Sequence, residues 1–109
     1  VEYRDHQPQD SRLTRVFGFE SDLSRLQKTI EKFDANGGGD GPEAVFDGIV
    51  AATQLPWRRH ARRVAILIGD APPHGVGAPG DAFRGGCPCG ETSDSVCARC
   101  EEARVTLYA

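Results

Sequence analysis

The sequence has 109 residues, of which 39% are hydrophobic and 27% charged, and this composition is typical of one globular domain. The formal net charge of −3 gives no general reason to expect a nucleic-acid or membrane partner. No segment approaches the roughly 20 apolar residues of a membrane span, and no signal peptide opens the chain. The chain has no methionine and both ends read as strands, which favours a fragment.

A hairpin and a helix are predicted first. Residues 1–4 and 13–19 are rich in strand formers and flank a polar turn that contains a proline. Over residues 21–33 apolar side chains recur at spacings of three and four, which predicts an amphipathic helix with Ser21 as its N-cap. The apolar face of this helix is formed by Leu23, Leu26, Ile30 and Phe33.

A second helix is predicted over residues 42–54. Pro42 fits the first turn, where its missing N–H costs nothing, and Asp40 or Gly41 would serve as the cap. The apolar stripe that this helix would bury consists of Val45, Phe46, Ile49 and Val50.

A strand, a long loop, a third helix and a last strand complete the chain. Residues 64–68 are apolar, β-branched and without alternation, which predicts a strand covered on both faces, as in a parallel sheet. A loop rich in glycine and proline leads to a helix over about 92–103, and residues 104–109 alternate as a strand would. This order of elements belongs to an α/β sandwich with a mostly parallel sheet.

Acidic residues gather at one predicted end of the sheet. Asp70 comes just past the carboxyl end of the buried strand, where ligands bind in open α/β sheets. Counting the directions of successive elements places Asp40 and the pair Asp5 and His6 at the same end. His74, four residues after Asp70, is a further candidate there. The alternative for Asp70 is a turn residue that bonds nearby backbone amides.

Four stretches of the chain together are similar to a known family: "YRDH", "TRVFGFESD", "GGGDGPEAVFDGIVAA" and "RRVAILIGDAPPHG". With them the chain resembles a von Willebrand factor A domain of the bacterial type, from the second strand of that fold to the fifth. The resemblance implies a Rossmann-like three-layer sandwich with a mostly parallel sheet. It also implies that residues 1–109 are a single partial domain, incomplete at the N-terminus and therefore poorly stable alone, because a central strand is missing.

The resemblance further implies a protein-binding, adhesion-type module and no enzyme. Such domains commonly bind Mg²⁺, or Mn²⁺ in its place, at the top of the sheet, and an acidic side chain of a protein ligand often completes the ion's shell. Asp70 matches one metal-binding position of the family, and Asp40 lies beside a position that the family fills with Thr. The Asp-x-Ser-x-Ser motif of the family is absent. Asp5, His6 and His74 are then the residues expected to contact the partner.

The resemblance also predicts an order of mutational effects. Replacing Asp70 by alanine should abolish metal-dependent binding, whereas Asp40→Ala should weaken it less, because the match at that loop is displaced.

The cysteines are a second feature with chemical content, in a loop and helix over residues 85–103. Cys87-x-Cys89 and Cys97-x-x-Cys100 offer four thiolates, which suit a tetrahedral Zn²⁺. Unliganded or buried thiols and disulfides are the alternatives. The sequence leaves the compartment open, although reduced or zinc-bound cysteines would favour the cytoplasm.

Two further functions stay open at the level of the sequence. One is a metal-assisted hydrolase in which Asp70 is the metal ligand or nucleophile and His74 the acid or base. The other is a mainly structural, zinc-stabilised domain. No nucleophile elbow, Walker-type lysine loop or dinucleotide fingerprint is present.

Overall fold

The computed structural model describes residues 1–109 and contains two small sheets and three helices. In chain order the elements are β1 (Glu2–Tyr3), β2 (Thr14–Arg15), α1 (Leu23–Ile30), α2 (Val45–Thr53), β3 (Arg63–Ile66), α3 (Ser93–Ala103) and β4 (Val105–Tyr108). No helix combines the length and the apolar character needed to cross a membrane.

The strands form two separate pairs. β1 and β2 are antiparallel, with Tyr3 opposite Thr14, so the predicted hairpin is confirmed but is only two residues deep. β3 and β4 are parallel, with Val64 opposite Thr106, and α3 lies between them in the chain. The protein is thus a small mixed α/β structure with short sheets, and one continuous sheet is not formed.

The helix starts follow local capping chemistry. The N-cap of α1 lies one residue later than predicted, because the Asp22 carboxylate, and not Ser21, accepts two backbone N–H groups of the first turn. α3 begins as predicted. Thr92 caps it in a reciprocal pair with Ser95, in which each side chain bonds the backbone N–H of the other residue.

The predicted cap of α2 is wrong, because the residues before the helix are used for long-range contacts. Ala44 takes the N-cap position without a side-chain bond. The N–H groups of Glu43 and Ala44 bond the carbonyls of Pro72 and Arg4 at 3.0 and 2.9 Å. The segment that contains Asp40 is therefore fixed against both the end of β1 and the loop after β3.

The core lies between α2, α3 and the loop that precedes α3. Its buried members are Val45, Phe46, Ile49, Cys87, Val96 and Cys100. The predicted stripe of α2 is confirmed, with Val50 partly buried at the edge of the cluster. Gly48 of the same helix lies so close to Tyr3 that a Cβ there would be 2.8 Å from the tyrosine ring.

The prediction that residues 64–68 are covered on both faces is wrong. Leu67 packs against the core, but Val64, Ile66 and Ile68 are 37%, 72% and 86% exposed. Only one face of the β3–β4 pair meets the helices, so alternate residues of a uniformly apolar run face outward. The apolar face predicted for residues 21–33 is likewise exposed, and α1 has no buried residue.

Exposure of the outer β3 face predicts unequal effects of two isoleucine substitutions. Ile66→Thr is expected to change the free energy of unfolding by no more than about 0.5 kcal/mol, because the side chain is already in solvent. Ile49→Ala, in the core, is expected to cost about 2–5 kcal/mol. Urea unfolding measures both changes, and equal losses would mean that the β3 face is covered in solution.

The contact between Gly48 and Tyr3 predicts that alanine is unfavourable at a helical position. An alanine normally stabilises a helix by about 1 kcal/mol relative to glycine. In Gly48→Ala the new methyl group would press on the Tyr3 ring, and a net loss of about 1–3 kcal/mol is expected. Ser24→Ala on exposed α1 is the control and should be close to neutral in the same unfolding measurement. A stabilised Gly48→Ala variant would contradict the observed packing.

Candidate functional site

Titratable side chains converge where three segments of the chain meet. Asp5 and His6 directly follow β1, Asp40 belongs to the segment before α2, and the third segment is the loop over residues 70–90. The loop folds tightly on itself, since a Cβ at Gly75, whose φ is +78°, would lie 2.7 Å from the Gly86 Cα.

A buried histidine joins two of these segments. The His74 Nε2 lies 2.6 Å from an Asp5 oxygen, and its Nδ1 lies 2.9 Å from an Asp81 oxygen. All three side chains are fully buried. Asp81 is held in turn by the backbone N–H groups of Gly75 and Phe83, both at 2.8 Å.

This geometry favours the charged form of His74. A neutral imidazole has one N–H and could donate to only one carboxylate, whereas the imidazolium donates to both. Burial by itself lowers the pKa of His74, but the hydrogen bonds to Asp81 and Asp5 outweigh it, so the pKa is raised. The pKa of Asp81 is lowered, first by the N–H of Gly75 and also by the histidine.

Two carboxylate oxygens beside His74 are buried without a partner. Asp5 uses one oxygen to accept from His74 and from the N–H of His6, and its Oδ2 bonds nothing. Asp40 accepts the N–H of Ala82 at 2.6 Å with Oδ2, and its Oδ1 bonds nothing. Ligand atoms of Asp5, Asp40 and His74 all lie within 4.8 Å of one another. Since His74 donates from both ring nitrogens, the carboxylates of Asp5 and Asp40 are the groups left to hold a metal ion.

A second group of possible metal ligands lies next to the first. The His6 Nε2 is 3.1 Å from the Asp47 Oδ2 and 3.2 Å from the Cys87 Sγ. Cys89 completes the group, whose four ligand atoms all lie within 4.8 Å of one another. Burial is the main cause of the raised pKa values of the Cys87 and Cys89 thiols, so both are protonated at neutral pH without a metal.

Some of the residues predicted to lie at one end of the sheet are close together in the structure, and one of them is not part of either ligand group. Asp5 and Asp40 are neighbours, as counting the element directions predicted, and His74 lies between Asp5 and Asp81. Asp70 is exposed and joins neither ligand group. Asp70 does lie near Tyr3, whose pKa is raised by burial, by Glu43 and by Asp70.

The three residues predicted to contact a partner have little surface exposed to solvent. Asp5, His6 and His74 are 1%, 9% and 1% exposed. Both ring nitrogens of His74 are engaged by carboxylates, so in this geometry His74 is not free to serve Asp70 as an acid or base in a hydrolase.

The four cysteines do not lie together in one group. Cys87 and Cys89 lie with His6 and Asp47, whereas Cys97 is exposed on α3 and Cys100 belongs to the core. All four thiols are free, and the set of four thiolates predicted for zinc is not assembled.

Sequence reasoning missed Asp47 and Asp81. Asp47 was detectable, because it is the one charged residue of the otherwise uncharged segment Val45–Thr53. Asp81 lies in a glycine-rich loop and has no such signal.

Comparison with known proteins gives one informative similarity. A protein from Dictyostelium discoideum named alpha-protein kinase vwkA is 33% identical over 98 residues, which are 88% of this chain and 16% of that protein. The chain thus spans about a sixth of the length of this relative. No family model matches the chain, and no solved structure matches it.

This similarity corrects one prediction. The sequence predicted that the chain is no enzyme. However, 88% of this chain is similar to a segment of a protein that is named as a kinase. The prediction is wrong in excluding a kinase-related enzyme. It rested on the resemblance of these 109 residues to a binding domain, whereas the similarity covers 16% of a longer protein that is named as a kinase.

The raised pKa of His74 predicts a pH dependence of stability. A folded-state pKa above the ordinary value of 6.5 means that the contribution of His74 is complete below about pH 6.5 and is lost as the pH rises through the folded-state pKa. The stability difference between the wild type and His74→Gln should therefore shrink as the pH rises above about 6.5. Urea unfolding in the presence of a chelator measures it, with exposed His60→Gln as the control. A difference independent of pH would contradict the imidazolium assignment.

Proposed function

We propose that the chain is a divalent-metal-dependent protein-binding module within a larger protein related to alpha-protein kinases. The ion is Mg²⁺ or Mn²⁺, and its protein ligands are Asp5 and Asp40. The named relative supports the wider context, since this chain corresponds to 16% of a protein that carries a kinase name.

The observation that carries the proposal is the pair of unpartnered oxygens. Asp5 and Asp40 are each anchored through one carboxylate oxygen, and the second oxygen of each is buried without a hydrogen bond. Leaving such groups unpaired is costly, and a cation between them would compensate both. Because each carboxylate is already fixed, binding would require little reorganisation. Oxygen donors are the ligands that Mg²⁺ and Mn²⁺ prefer.

The surrounding charge supports a cation at this point. Asp5, Asp81 and Asp40 carry three negative charges around one imidazolium, that of His74. The pKa of Glu43 is raised, first by burial and then by the negative charge of Asp5. The group therefore has an excess of negative charge in a region that is shielded from water.

The accessibility of the two carboxylates supports the binding of a partner. Asp5 is buried, but Asp40 is only partly buried, so an ion held by both would be reached from the Asp40 side. Mg²⁺ takes near-octahedral coordination and keeps several waters when proteins supply one or two carboxylates. One of these waters can be replaced by an acidic side chain of a protein ligand, and this exchange would make binding depend on the metal.

We also propose that the fold is a Rossmann-like sandwich of the von Willebrand factor A type. Three features support this assignment: the parallel pairing of β3 and β4, the position of α3 between them in the chain, and the packing of α2 against α3. The exposed apolar face of β3 is the face that a second layer of a three-layer sandwich would cover.

The proposal predicts an order of effects opposite to that expected from the resemblance alone. Asp40→Asn removes the charge of a residue with an orphaned oxygen, and should weaken Mn²⁺ binding at least tenfold. Asp70→Ala should have a smaller effect, because Asp70 is exposed and lies outside the ligand group. Asp34→Asn, at an exposed position, is the matched control and should bind as the wild type does.

Titration calorimetry with Mn²⁺ compares these variants, and acetate serves as a probe for an acidic partner. If the bound ion keeps exchangeable waters, acetate should lower the water-proton relaxation enhancement of the Mn²⁺ complex. The same Mn²⁺ affinity in the wild type and Asp40→Asn would refute the site. An enhancement insensitive to acetate would refute the mode of partner binding.

A further inference from the structure

We propose that His6, Asp47, Cys87 and Cys89 hold one Zn²⁺ in a mixed tetrahedral centre, separate from the Asp5 and Asp40 site. This assignment does not rest on the proposed function. It replaces the set of four cysteines suggested by spacing with a set chosen by the fold.

The distances between the donor atoms fit a zinc centre. The Asp47 Oδ2 lies 3.1 Å from the His6 Nε2 and 3.4 Å from the Cys87 Sγ, and the latter two atoms are 3.2 Å apart. Tetrahedral zinc with bonds of about 2.0–2.3 Å separates its ligand atoms by about 3.3–3.8 Å. The donor atoms of His6, Asp47 and Cys87 therefore need to move outward by only a few tenths of an ångström to admit an ion, and the Cys89 Sγ lies within 4.8 Å of each of them.

The kinds of donor favour zinc over the ions of the neighbouring site. Two thiolates, one imidazole and one carboxylate form a mixed sulfur, nitrogen and oxygen set, which suits Zn²⁺ and not a hard ion such as Mg²⁺. Without a metal, hydrogen bonds link these atoms, since the Cys87 thiol donates to the Asp47 Oδ2 and the His6 Nε2 lies 3.1 Å from the same oxygen. An ion at the centre satisfies all four donors together. On binding, the two thiol protons are released to solvent.

Local backbone geometry prepares the cysteine loop for this role. The N–H of Gly90 bonds the carbonyl of Cys87 at 2.9 Å, and Gly90 has a φ of +76°, so the chain turns sharply after Cys89. The N–H of Glu91 points at the Cys89 Sγ at 3.4 Å. Such an N–H···S contact stabilises a thiolate and orients it as a ligand.

The histidine and the aspartate are equally well placed. The His6 ring lies against the rings of His74 and Phe83, with centroids 5.8 and 5.7 Å away, which limits its rotation. Asp47 is fixed in the first turn of α2. Two surface cavities of about 380 and 370 Å³ flank the group, one lined in part by Cys87 and the other by Asp47 and Cys89. These cavities provide a route by which an ion can enter.

A zinc ion here would join segments that are far apart in the chain. His6 follows β1, Asp47 lies 41 residues later, and Cys87 lies a further 40 residues on. A metal bond across such separations stabilises the folded state, because the unfolded chain offers no preformed site. The expected role of this ion is therefore structural.

The experiment compares ligand variants with a matched cysteine control. The protein is purified without chelator and its zinc content is measured by native mass spectrometry. After zinc is removed, Co²⁺ is titrated and the thiolate-to-metal charge-transfer band is followed. The wild type and Cys97→Ser are expected to carry one Zn²⁺ per chain and to bind Co²⁺ equally, since Cys97 is exposed on α3. Cys89→Ser and Asp47→Asn should each bind Co²⁺ at least tenfold more weakly.

Several results would overturn the assignment. A wild-type chain without zinc, in which all four thiols are freely alkylated, would leave only a hydrogen-bonded group. An equal loss of Co²⁺ affinity in Cys97→Ser and Cys89→Ser would restore the four-cysteine set. Unchanged affinity in Asp47→Asn would remove that ligand. Circular dichroism of the metal-free variants checks that each is folded, and Asp47→Asn, which alters no cysteine, keeps the test decisive if Cys89→Ser does not fold.

Asp40→Asn separates this proposal from the proposed function. It should leave the zinc content at one per chain while lowering Mn²⁺ affinity. If this variant lost zinc, the ion would belong to the Asp5 and Asp40 site, and the assignment to His6, Asp47, Cys87 and Cys89 would be wrong.

Discussion

The arrangement of this protein depends on one buried histidine that is bonded at both ring nitrogens. His74 joins Asp5, at the end of β1, to Asp81, in the loop after β3, and all three side chains are shielded from water. With so few strand hydrogen bonds, this link and the backbone bonds before α2 fix how the hairpin meets the rest of the chain. Removing one partner would leave a buried charge uncompensated, which is far more costly than the net contribution of an ordinary hydrogen bond.

The same link determines where a metal can bind. His74 bonds one oxygen of Asp5 and leaves the other without a partner, and the second oxygen of the neighbouring Asp40 is also without one. Asp5 and His6 are adjacent in the chain but join different ligand groups. The oxygen-only pair is suited to a hard cation, and the group with two sulfurs to zinc. Two groups of possible metal ligands therefore lie side by side. Because their donor atoms differ, each group would favour a different kind of ion.

The outer surface leaves two apolar faces uncovered. One face of the β3–β4 pair meets the core, while Ile66 and Ile68 on the other face are largely exposed. α1 has an apolar stripe and no buried residue. The candidate metal ligands, in contrast, are buried or partly buried. The best-buried part of the molecule is thus the region around His74, α2 and α3.

Local sequence patterns determined the types and approximate positions of the elements, because capping, apolar periodicity and β-branching act over a few residues. The stripe of α2, the cap at Thr92 and the strands near Tyr3 and Val64 could all be predicted in this way. The extent of burial could not be predicted. A uniformly apolar run is compatible with one covered face or two, and only the packing of the helices decided that the Ile66 face is exposed.

The candidate site shows the same division. Counting the directions of the elements was enough to bring Asp5 and Asp40 to one end, because topology alone sets which loops are neighbours. Pairing the cysteines by spacing failed, since the helix that carries Cys97 and Cys100 turns Cys100 into the core and leaves Cys97 in solvent. Asp47 and His6 became neighbours of Cys87 through contacts that span 40 and 81 residues of chain. The sequence by itself supplied the donors, and only the tertiary structure decided which of them meet, because a ligand set depends on distances in space that sequence spacing does not encode.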